Sequence, residues 1–78
     1  MEWTTPEATT QTWLTTKSRS LLGPVEIHQW HPDGIFIGYL GTYPNHIEIA
    51  LGKNLEECKE KVKESINETI KEIRKLPF

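Results

Sequence analysis

The sequence predicts an α+β fold: a small antiparallel β-sheet of three to four strands packed in two layers on one long C-terminal α-helix. Three observations predict it. Between residues 24 and 51 apolar and polar side chains alternate with a period of two, in runs broken by turn residues. From residue 55 the apolar spacing changes to three and four. The chain has 78 residues, 36% hydrophobic and 26% charged, which suits one globular domain and leaves no room for two.

Residues 1–11 read as a flexible N-terminal arm, with Pro6, several threonines and a single large apolar side chain, Trp3. Residues 12–78 read as the domain. Trp13, Leu14, Thr15 and Thr16 favour an extended strand over about 12–17. A loop from Ser18 to Pro24 is expected next, punctuated by Gly23-Pro24. Val25 and Ile27 then alternate with Glu26 and His28 in a strand over about 24–31. Pro32-Asp33-Gly34 is a turn with a mechanism: proline presets φ, aspartate bonds backbone, and glycine accepts positive φ. The third strand, about 35–41, alternates Ile35, Ile37 and Tyr39 with Phe36, Gly38 and Leu40. A turn from Gly41 to Asn45 leads to a fourth strand over about 46–51, with Ile47, Ile49 and Leu51 on one side. Strand parity then places Val25, Ile27, Ile35, Ile37, Ile47, Ile49 and Leu51 against the helix. His28, Trp30, Phe36 and Leu40 would share the opposite face.

The helix is expected over about 55–76. Asn54 is a capable N-cap, and Glu57 stands three residues later. Leu55, Cys58, Val62, Ile66, Thr69 and Ile73 form one apolar stripe, acids crowd the first turn and bases the last, and Pro77 ends it. Such a helix is about 33 Å long, whereas four short strands give a sheet about 15 Å across and about 20 Å along the strands. Ile70, Ile73, Leu76 and Phe78 should therefore overhang and need a cover: the arm, a second copy or another protein. The junction Gly52-Lys53-Asn54-Leu55-Glu56-Glu57, a strand running into a capped amphipathic helix, resembles one found in HicB-type antitoxins and in many small phage proteins. It covers about a quarter of the chain, and the remainder departs from the antitoxin pattern, so no residue role follows from it.

Composition narrows the functional classes. Formal net charge is −2 with acids and bases interspersed, so there is no basic stripe for a phosphate backbone and no acidic block that imitates DNA. A single cysteine, no signal-peptide pattern and no apolar run of the roughly 18 residues a membrane span needs lead to the expectation of a cytoplasmic chain without membrane contact. Cys58 lies on the apolar stripe and reads as a buried structural thiol. His28 and His31, three apart on a strand, point to opposite faces, and no ligand-spaced partner stands beside them. Neither a nucleophile motif nor a phosphate-binding loop is present, so no metal, no cofactor and no enzyme activity are expected. Asn67-Glu68-Thr69 matches a glycosylation acceptor but falls in mid-helix.

The expected function is thus a non-enzymatic protein-binding module, an adaptor or inhibitor of the kind phages and mobile elements direct against host defences. Its expected contact residues are Trp30, Phe36, Leu40 and Trp13 on the aromatic sheet face, Tyr43 in the loop after it, and Ile70, Ile73 and Phe78 on the distal helix. Its partner would be another protein or a second copy of itself. The alternative is single-stranded nucleic-acid binding, with bases stacked on the same face, although Glu26 and Glu48 give that face the wrong charge.

Overall fold

The computed structural model describes all residues except Tyr43 and Phe78. Four strands, β1 (Leu14–Ser20), β2 (Gly23–Gln29), β3 (Phe36–Leu40) and β4 (Ile47–Gly52), precede one helix, α1 (Leu55–Arg74). The sheet is an antiparallel meander in the order β1-β2-β3-β4, with α1 packed on β3 and β4. This is the expected α+β architecture.

The segment expected to be a loop between the first two strands is instead mostly ladder, with Ser20 paired to Gly23. Ser20 closes the tight turn: its hydroxyl accepts from the Leu22 N–H at 3.1 Å and donates to the Gly23 carbonyl at 2.9 Å. Gly23 supplies the φ of +121° that the turn requires. The Pro32-Asp33-Gly34 turn forms as expected, with the Gly34 N–H bonded to the His31 carbonyl at 2.9 Å. Buried Gln29 braces it, its amide donating to the carbonyls of Pro32 and Gly34.

Residues 2–7, expected as a flexible arm, run antiparallel beside β1. The Thr4 N–H donates to the Lys17 carbonyl, and Glu7 and Thr15 exchange both backbone bonds. Fully buried Thr16 donates its hydroxyl to the Thr4 carbonyl at 2.7 Å, so this polar residue enters the core side of β1 without an unmet bond. Trp3 packs on the hydrophobic core.

That core comprises Val25, Ile27, Ala50, Cys58, Val62 and Ile66. Val25 and Ile27 face the helix as expected, but the parity of β3 is the reverse of the sequence reading. Val25 pairs with Leu40 and Ile27 with Gly38, so Phe36, Gly38 and Leu40 lie on the helix side, where Phe36 and Leu40 pack on the core. Ile37 pairs with His28 on the other side, while Ile35, Ile47 and Leu51 are 49%, 66% and 46% exposed. The cause is close packing. A Cβ on Gly38 would overlap a methyl of Val62, and one on Gly52 would stand 2.6 Å from the Cys58 backbone nitrogen. Gly38, Ala50 and Gly52 form a flat shelf on which α1 rests, and isoleucines there would hold the helix off.

Asn54 caps α1, its side chain accepting from the Glu57 N–H at 2.8 Å. Glu56–Lys59, Glu68–Lys71 and Glu72–Lys75 form ion pairs at 3.5–3.7 Å on the exposed side. Among the described residues no helix is long and apolar enough to cross a membrane.

Candidate binding surfaces

The sheet face away from α1 is built by β1, β2 and β3, whose register sets Thr15 beside His28 and Glu26 beside Tyr39. One hydrogen-bonded chain runs through it, and its direction can be worked out. Thr9 Oγ accepts from two backbone N–H groups, those of Gln11 at 3.2 Å and Thr12 at 2.9 Å, so its proton goes to Thr12 Oγ at 2.7 Å. Thr12 then donates to Thr15 Oγ at 2.6 Å, and Thr15 to His28 Nδ1 at 2.8 Å. That leaves the proton of His28 on Nε2, where it is donated to Glu26 Oε1 at 3.1 Å. Lys17 stands 3.8 Å from the other carboxylate oxygen.

Burial pushes the His28 pKa below its ordinary value of 6.5, against the pull of the Glu26 carboxylate. His28 is therefore neutral at neutral pH, as the chain's polarity requires. Hydroxyl, imidazole and carboxylate in a row is the order of a nucleophilic triad. Here, however, Thr15 is only 5% exposed and its oxygen already accepts from Thr12. The row works as a brace that orders a buried polar face. Around it, the Trp30 indole N–H donates to the Tyr39 hydroxyl at 3.0 Å, and His46 meets the Tyr39 ring edge-on at 4.0 Å. A depression of about 340 Å³ lies over this face, bordered by Glu7, Gln11, Thr12, Glu26 and Trp30. His28 and His46 approach to 6.1 Å between ring centres, yet no group of three His, Cys, Asp or Glu that could hold a metal occurs among the described residues.

The expected contact residues separate. Trp30 is on the open face, half-buried; Phe36 and Leu40 are not, because the β3 parity turns them toward the core. Without Phe36 and Leu40 the face keeps one large aromatic, Trp30, together with Tyr39, Ile37 and Leu51 beside a polar network. Trp13 lies just outside β1 and is 59% exposed, its backbone N–H bonded to the Gln29 carbonyl. Ile70 packs on the core, and it borders a hollow together with Met1, Leu21 and Ile66. Ile73 and Leu76 remain exposed at 42% and 55%. Tyr43 and Phe78 lie outside the described residues.

A second surface was not anticipated. The arm covers the outer edge of β1, but β4 has β3 on one side and no strand on the other among the described residues. Along that edge lie Ile47, Ile49 and Leu51. Beside it, between β4 and α1, runs an open groove of about 690 Å³ bordered by Glu48–Leu51, Lys61, Glu64, Ser65 and Glu68. A bulge opposite Gly38 and Tyr39 bends β4 near Ile49. The sequence did carry the signal, since Ile47, Glu48, Ile49, Ala50 and Leu51 form the last strand of a meander and hold neither lysine nor proline. No protein-family model matches this chain, and comparisons with curated proteins and with solved structures give no match.

Proposed function

We propose that this protein is a non-enzymatic protein-binding module, an adaptor or inhibitor, that takes an extended segment of its partner along β4. One observation carries the reading. Natural sheets normally blunt an exposed edge with lysine, proline, a bulge or a covering segment. This chain covers β1 with its own arm, whereas β4 carries one bulge at Ile49 but no covering segment among the described residues, and it is apolar and backed by a groove. Backbone N–H and C=O groups on such an edge can bond an added strand, and the neighbouring groove can receive its side chains. The aromatic face is the weaker candidate, because its polar atoms are largely bonded to one another.

Selection of binders from a displayed library of random peptides tests this. Selected peptides are expected to lose affinity for an Ile47→Lys, Leu51→Lys variant, which changes only exposed side chains of β4. Binders that ignore this variant and instead depend on Trp30 would overturn the assignment to β4.

A further inference from the structure

We infer that the segment received by the β4 groove is basic as well as apolar: an extended stretch of another protein in which lysines or arginines alternate with β-branched or aliphatic residues. The inference rests on the proposed use of β4 and adds the chemistry of the partner.

Charge along the groove is lopsided. Glu64 and Glu68 on α1 border it against the single Lys61, while Glu48, paired with Tyr39, adds its charge on the far side of the same strand. Glu68 also meets Lys71 at 3.7 Å, but both side chains are about 70% exposed and the pair is screened by water, so it compensates little. A second copy brings the same excess of acid to the same place. Two grooves set face to face would confront four carboxylates with two ammonium groups, two and one from each copy. Nucleic acid is disfavoured for the same reason.

Apolar residues supply the other half of the pattern. Ile49 borders the groove beside the acids and packs inward on the core, while Leu51, paired with Ile37, presents its side chain on the other side of β4. A strand added to β4 presents alternate side chains to opposite sides. One set would face the α1 wall with Glu64 and Glu68, and the other would pass over the apolar side chains of β4. Alternation of basic and aliphatic residues satisfies both. The bend at Ile49 shortens the straight ladder, so a brief segment suffices.

Three fluorescein-labelled octapeptides test the inference by anisotropy: alternating Lys-Val, alternating Thr-Val and alternating Glu-Val, with an N-methylated Lys-Val peptide of equal charge as control. Lys-Val is expected to bind more tightly than Thr-Val, and Glu-Val least. The Glu64→Lys, Glu68→Lys variant should weaken Lys-Val binding by about tenfold, and Lys61→Glu should strengthen it several-fold. N-methylation should abolish binding. If Thr-Val binds as tightly as Lys-Val and both depend on Ile47 and Leu51, the basic partner is refuted while the use of β4 survives. If no peptide binds, or light scattering shows a stable dimer abolished by Leu51→Lys, the partner inferred here is wrong.

Discussion

Replacing Gly52 with alanine tests the packing that sets the parity of the sheet. The new Cβ would lie 2.6 Å from the Cys58 nitrogen and 2.8 Å from its Cα and Cβ. Ordinary carbon contacts are about 3.5–4.0 Å, so α1 must lift by about 1 Å in its first turns. Because the obstacle is helix backbone, no rotamer change relieves it. Overpacking costs about 1–3 kcal/mol, and this site belongs at the upper end, near 3 kcal/mol. A chain of this length has a total stability of roughly 4–12 kcal/mol. At Gly38 the obstacle is a Val62 methyl, so Gly38→Ala should cost less, and Val62→Ala should make room for it. The double variant Gly38→Ala, Val62→Ala should then be more stable than the two single costs imply, by about 1 kcal/mol. Val62→Ala should not rescue Gly52→Ala. Urea denaturation followed by far-ultraviolet circular dichroism measures the five variants against the wild type. A Gly52→Ala cost below about 1 kcal/mol, or strict additivity at Gly38 and Val62, would refute the shelf.

Other consequences follow from single groups. Burial raises the Cys58 thiol to about 11, so its alkylation at neutral pH should proceed only through unfolding and accelerate with urea; rapid labelling of the native protein would contradict its place in the core. Folding lowers the His28 pKa, so the unfolded chain binds the proton more readily, and stability should fall as pH drops below about 6.5 toward the lower folded value. The groups facing His28 are Thr15 and Lys17 on β1, Glu26 on β2, Tyr39 on β3, and Trp30 and His46 beside them. A His28→Gln variant that kept the full wild-type pH dependence would show that another group carries it. Asn54→Ala removes the acceptor for the Glu57 N–H and should cost about 1 kcal/mol by thermal denaturation; an unchanged midpoint would mean that water replaces the cap.

The helix was legible because several local signals coincide over residues 54–75: a capping asparagine, a stripe ending in buried Cys58, Val62 and Ile66, and charges that suit the dipole. The β2–β3 hairpin was legible from its turn, since Pro32-Asp33-Gly34 has few other conformations, whereas the tight β1–β2 turn reads as a longer loop. The faces of β3 were not. Ile35, Phe36, Ile37, Tyr39 and Leu40 are apolar on both sides of the strand, so hydrophobicity gives no parity, and residue size decides. Gly38 must face the helix because nothing larger fits under Val62. The same blindness displaced the candidate site: Phe36 and Leu40, large and apolar, looked like a docking surface and are core packing. The row from Thr9 to Glu26 was also invisible, since threonines that read as loop or strand formers find their partners only once residues 2–12 double back beside β1.

Residues 2–7 also decide which flanks of the sheet are open to an added strand. With one flank of the sheet sealed by residues 2–7, only the β4 flank is left for an added strand among the described residues, so strand addition there should end after one step. Cutting away the first eight residues would bare the second flank, turning a chain terminator into a link that grows from both ends. Truncated material should therefore polymerise where intact protein stays discrete.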